Sequence, residues 1–264
     1  MHTLLLDTYQ FWLVLIASGA FAGILSGFLG LGGMSVYVPL LIWILHPGID
    51  DHTQLISAVL VNSFSVVVIV GLASWFSHHS HGTIRYRKVP VLSSGAALGT
   101  VFGYSMAIVT GLFASMDLLF GFYLLAIGLF SLLQKVDSAA RLHSQRGIFG
   151  IGLAGGVVGG FVGFNGNSVF IPLLRNNGLN VKESMATGQL IGLTVSALMV
   201  SLIGMTFGFQ NIHWDICSAL ALGGFGGSYF GARLKRKISF GHMNLALVAS
   251  YWSAGGLLLL RLGH

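Results

Sequence analysis

The sequence predicts an all-α integral membrane protein made of two inverted four-segment repeats. Each repeat opens with a glycine-broken or re-entrant helix and continues with three spanning helices. Three observations predict this. The first is composition: 55% of the 264 residues are hydrophobic and only 8% are charged, where a soluble domain carries about 25% charged residues. The second is a duplication. Gly27–Leu41 reads GFLGLGGMSVYVPLL and Gly160–Leu174 reads GFVGFNGNSVFIPLL, nine of the 15 positions being identical at a constant offset of 133. The third is the placement of the 13 lysines and arginines, which decides how the segments cross.

The apolar segments fall at 11–45, 53–77, 89–110, 115–134, 147–174, 184–207, 213–232 and 241–260. Most have about the 20 residues that a spanning helix needs. They form one transmembrane domain over 1–264, with repeat one at about 11–134 and repeat two at about 147–262. The first segment lacks a basic stretch before Phe11, so it is expected to be retained rather than cleaved. It is long enough for a spanning helix plus a shorter returning arm. Its counterpart ends in an arm, 167–174, that is too short for a full span at 1.5 Å per residue. The duplication also reaches the later segments. Gly82-Thr-Ile-Arg-Tyr86 matches Gln210-Asn-Ile-His-Trp214, and Gly95, Gly99 and Gly103 match Gly223, Gly227 and Gly231, all at an offset of 128. These glycines are expected to serve close helix packing.

If all eight segments crossed once, the cationic residues would divide 7 to 6 between the two faces. If each glycine-broken segment returns to its own side, 12 of the 13 lie on one face and only Arg261 lies opposite. The positive-inside rule favours the second arrangement and makes the charged face cytoplasmic. Three further crossings per repeat then invert the halves, a recurrent transporter architecture. Cationic residues confined to short loops speak for topology and not for nucleic acid. The lone Cys217 excludes an intramolecular disulfide and reads as a packing residue.

The breaks themselves are Gly30-Leu-Gly32-Gly33 and Gly163-Phe-Asn165-Gly166-Asn167. Broken backbone in a bilayer is tolerated only where protein or a water-filled cavity satisfies it. New half-helices are expected from Ser35 and Ser168, with Pro39 and Pro172 in or near their first turns. Their N-termini would offer free N–H groups and the positive end of a dipole, which suit an anion. Paired breaks of this kind are the best sequence pointer to a transport site. The candidate substrate-binding residues are Gly30, Gly32, Gly33 and Ser35 of the first break, and Asn165, Gly166, Asn167 and Ser168 of the second. Asn62, Thr187 and Gln189, on the helices that follow, complete the set. For Asn62 and Gln189 hydrogen bonding between helices is the commoner role of such amides, and their matching placement is what argues for substrate contact.

At these residues the chain resembles the sulfite exporter TauE/SafE family of bacterial permeases. The resemblance rests on the glycine-rich stretches followed by Val38-Pro-Leu-Leu41 and Ile171-Pro-Leu-Leu174. It also rests on Ala186-Thr187-Gly188, Ile212-His-Trp-Asp215 and Gly223-Gly-Phe-Gly-Gly-Ser-Tyr-Phe-Gly-Ala-Arg233. It implies a multi-pass permease of the bacterial plasma (inner) membrane that moves small sulfur-containing anions such as sulfite or organosulfonates. Such a protein is no enzyme and needs no cofactor; its partners are the lipid bilayer and the substrate anion. The chain has no GxxxxGK[ST] loop, so ATP hydrolysis is not expected. All seven carboxylates fall at predicted ends or loops, which gives no central proton relay. An interior-negative potential by itself favours anion exit by about 2.3 kcal/mol per charge per 100 mV. The alternative is a metal-ion transporter or a membrane-embedded metal-dependent enzyme that uses the histidine-rich loop His78-His79-Ser80-His81.

Overall fold

The computed structural model describes residues 8–29, 33–80, 84–133, 144–179, 181–234 and 240–261. The chain is all-α, and no strand occurs among the described residues. The helices are α1 (Thr8–Leu29), α2 (Met34–Leu45), α3 (His52–Ser80), α4 (Val89–Val109) and α5 (Met116–Leu133), then α6 (Gln145–Val162), α7 (Asn167–Asn176), α8 (Val181–Phe207), α9 (Trp214–Leu234) and α10 (Phe240–Arg261). Each glycine-broken segment therefore resolves into two helices, giving five per half. Six helical stretches among the described residues are long and apolar enough to cross a bilayer, in α1, α3, α4, α5, α6 and α8. The first arms α1 and α6 are among them. The second arms, α2 and α7, have 12 and 10 residues, or about 18 and 15 Å, and stop short of a span.

Both half-helices begin one residue earlier than expected, at Met34 and Asn167. The prolines correct the sequence reading more substantially. Pro39 and Pro172 lie inside the helices, at the sixth position of each. There the missing N–H no longer coincides with a free end. Each proline instead releases the carbonyl four residues back, which is that of Ser35 or Ser168.

Glycine faces join the halves. A Cβ at Gly99 would stand 2.3 Å from the Leu153 carbonyl oxygen, and one at Gly156 2.2 Å from that of Ala96. This is α4 lying on α6. A Cβ at Gly23 would stand 2.3 Å from the Gly224 oxygen, and one at Gly227 2.1 Å from that of Ala20. This is α1 lying on α9. Only glycine lets the backbones approach so closely, the usual device of membrane helices that have no water to squeeze out. The glycines expected to serve packing do so, and Gly19 and Gly23 at offset 133 from Gly152 and Gly156 complete the ladders. In both pairs the contacts ascend together along the two helices, so each pair runs parallel.

Other contacts sort the connections by end. Residues 44–45 and 47–49, Gln54 and Ala58 share a cavity of about 450 Å³ with Gln210, Asn211 and His213. His52 Nε2 lies 3.3 Å from Asp117 Oδ2, and Phe113 stacks on Phe207 at 4.7 Å. At the opposite end Arg85 pairs with Glu183 at 2.5 Å. Since α1 runs parallel to α9, residues 46–49 can share the end of residues 210–213 only if α2 turns back. The same reasoning from Arg85, α4 and α6 makes α7 turn back. Helix α3 lies at the centre, and every residue from Leu55 to Val67 is buried.

Candidate functional site

Among the described residues three left-handed glycines build the two breaks. Gly163 (φ 76°) ends α6, its N–H donating to the Gly159 carbonyl at 3.0 Å, and Gly166 (φ 74°) and Gly33 (φ 51°) precede α7 and α2. Residues with a Cβ rarely adopt this conformation. In α2 the first backbone bonds come from Val36 and Tyr37 to the Gly33 carbonyl. In α7 they come from Val169 and Phe170 to the Gly166 carbonyl. The N–H groups before them point out of the helix ends. Asn165 Oδ1 accepts that of Asn167 at 3.4 Å.

The two breaks meet at one cavity. It is lined by Ser26, Gly33 and Tyr37 from the first, Asn165 and Asn167 from the second, Val67, Val70 and Gly71 from α3, and Gln189, Gly192 and Leu193 from α8. Among the described residues no charged side chain lines it. Its free volume is about 20 Å³, enough for roughly one water and too little for an oxyanion of four heavy atoms. This conformation is closed.

Four of the expected residues, Gly33, Asn165, Asn167 and Gln189, thus come together, with Gly166 behind them as the cap of α7. Gly30 and Gly32 lie outside the described residues. Gln189 Nε2 donates to the Ser26 carbonyl at 3.2 Å, one of the last four carbonyls of α1, which have no partner within that helix. The other four expected residues sit elsewhere. Ser35 faces a separate groove of about 540 Å³ between α1, α2 and α10. Ser168 hydrogen-bonds Tyr123 of α5. Asn62 donates to the carbonyls of Ala58 (2.7 Å) and Asn211 (2.8 Å) and accepts from the His213 N–H (2.7 Å) and the Cys217 thiol (3.1 Å). Thr187 Oγ1 accepts from the Arg85 N–H at 3.3 Å. Arg85 and His213 are equivalent at offset 128. Thr187 and Asn62 therefore do the same work in opposite halves, each hooking the connection that leads into the other half's fourth helix.

Three residues escaped the sequence reading. Ser26 carried no signal, because its backbone carbonyl is what engages Gln189. Tyr37 sits inside the repeated block where the second copy has Phe170, and its hydroxyl is buried in the cavity wall with no hydrogen-bond partner. Tyr123 had a findable signal: the same offset of 128 carries it onto Tyr251. The side chains of His78 and His79, and all of His81, lie outside the described residues. Among the described residues no group of three His, Cys, Asp or Glu could hold a metal.

The profile of the family described as "Sulfite exporter TauE/SafE" matches residues 15–257. The chain belongs to this family. Curated relatives are named as probable membrane transporter proteins. One from Haemophilus influenzae is 28% identical over 78% of this chain and 76% of its own length. YunE of Bacillus subtilis is 27% identical over 86% and 89%, and MJ0441 of Methanocaldococcus jannaschii is 25% identical over 89% and 90%. No solved structure matches. As a TauE/SafE member with six spanning-length apolar helices among the described residues, the chain is a multi-pass plasma-membrane transporter.

Proposed function

We propose that the protein is a secondary transporter for small sulfur-containing or organic anions such as sulfite or organosulfonates, exporting them without ATP. The observation that carries this reading is the cavity between the two breaks. Two half-helix N-termini, with their positive dipole ends, open on it, and asparagine and glutamine amides line it. The halves work as inverted repeats, consistent with the parallel pairing of α1 with α9 and of α4 with α6. Transport proceeds by the two halves exchanging conformations around the shared cavity. The end that carries Arg85 and Glu183 faces the cytoplasm, where the positive-inside rule places the basic connections. The membrane potential then drives the anion outward.

The test is flux of labelled sulfite and a sulfonate in proteoliposomes under an imposed potential with no proton gradient. Flux that follows the potential, and falls about tenfold or more in Asn165→Ala, supports the reading. Flux that needs a proton gradient at zero potential overturns the uncoupled mechanism. The absence of any anion flux overturns the anion assignment.

A further inference from the structure

The polar wall of the cavity specifies more than negative charge. Gln189 spends its amide nitrogen on the Ser26 carbonyl. A carbonyl can only accept, so the orientation of the amide is fixed, and Oε1 is left buried with no hydrogen-bond partner. A buried carbonyl oxygen of this kind attracts a donor and repels bare anionic oxygen. Across the same cavity the Tyr37 hydroxyl, on a residue only 1% exposed, also lacks a partner and can donate. Among the described residues no lysine, arginine or histidine lines the wall to neutralise a second charge. The cost of taking an ion out of water rises with the square of its charge, and unpaired buried ions are very costly.

We infer that the substrate is a monoanion bearing its own hydrogen-bond donor: its anionic oxygen accepts from Tyr37 and the half-helix N–H groups, and its O–H or N–H donates to Gln189 Oε1. This makes Gln189 a specificity-determining residue. Hydrogen sulfite or a hydroxy-sulfonate has the right chemistry; a dianion or a plain alkanesulfonate satisfies only part of the wall. The inference rests on the anion-transport reading and sharpens it.

The test uses three sulfonates with the full-length protein in detergent, read by calorimetric binding. They are isethionate (monoanion with a hydroxyl), ethanesulfonate (monoanion without a donor) and 1,2-ethanedisulfonate (dianion without a donor). Isethionate is expected to bind about tenfold or more tightly than ethanesulfonate, the scale set by one unsatisfied buried polar atom, and the disulfonate more weakly than either. Gln189→Met should weaken isethionate alone and bring the two monoanions level. Tyr37→Phe should weaken both monoanions by a similar factor. Equal binding of the two monoanions to the wild type overturns the donor requirement while leaving an anion site standing. Equal weakening of both by Gln189→Met reduces Gln189 to a support for α1 and also overturns it. If none of the three binds, the anion assignment itself fails. The wild-type comparison needs no variant, so misfolding of one cannot shelter the proposal.

Discussion

The first and second breaks share a backbone and differ in chemistry. Gly33 and Gly166 adopt the same left-handed turn before a half-helix, and the glycine ladders on α1 and α6 bind α9 and α4 in the same manner. The side chains that line the cavity are unlike. The first break supplies the Tyr37 hydroxyl, where the second has Phe170, fully buried and packed so tightly that a Cβ at Gly155 would stand within its ring. The second supplies Asn165 and Asn167 where the first has Gly32 and Met34. The fifth helices differ too. Tyr123 is bonded to Ser168, and the equivalent Tyr251 hydroxyl is buried beside the same serine and Tyr123, whereas Ser35 faces an open groove. Duplication has kept what sets the path of the chain, and the two copies have divided the chemistry between them.

The largest expected effect tests the shared part. Gly156→Val and Gly227→Val each drive a side chain into a facing carbonyl, so each should cost more than about 3 kcal/mol and abolish the monodisperse peak in size-exclusion chromatography. Gly150→Ala and Gly226→Ala, which meet nothing within 4 Å, should leave it intact. If only one ladder proves sensitive, the halves are not equivalent in packing.

Next come the two hooks. Asn62→Ala strands the His213 N–H and the Asn211 carbonyl, at about 2–3 kcal/mol, and Thr187→Val strands one N–H, at about 1 kcal/mol. Thermal unfolding in detergent should show this order. A reversed order would mean that the second half's hook is the stronger.

Smaller still is the tyrosine pair. Tyr123→Phe should destabilise this closed conformation by about 1 kcal/mol, and Tyr251→Phe, which removes a hydroxyl beside the same Ser168, by less. If the halves exchange conformations, Tyr123→Phe should shift the accessibility of cysteines introduced at the two ends in opposite directions. The buried Cys217 would first be replaced by serine. The smallest effect belongs to Arg85→Gln. Its ion pair with Glu183 is largely exposed on the arginine side, and its removal should change stability by less than about 1 kcal/mol.

How much of this could be read from the sequence follows from where each signal resides. Glycine spacing is written along the chain, so the breaks and the packing glycines Gly95, Gly99, Gly103, Gly223, Gly227 and Gly231 were legible. The split into two helices at each break was only half legible. The position of Pro39 depends on where α2 starts, and the sequence reading placed that start too late to see a proline in the second turn. The division of labour between Gln189 and Asn62 was not legible. Both are amides inside apolar helices, and only the three-dimensional path decides that one meets the end of α1 and the other the connection before α9. Tyr37 was hidden by the duplication itself, because an aligned Phe170 makes it look like another packing aromatic.

The glycine ladders also set a timetable for making the protein. Helix α1 finds its partner only when α9 has been synthesised, beginning at Trp214, and α4 waits for α6. At roughly 5–20 residues per second, a ribosome needs about ten seconds or more to travel from Leu29 to Trp214. Through that interval the glycine face of α1, with its exposed carbonyl oxygens, must be sheltered by lipid, by the insertion machinery or by a provisional neighbour. A nascent chain stalled before α9 should therefore be recognisable to quality-control proteases, and the second half is as much a chaperone for the first as its companion in transport.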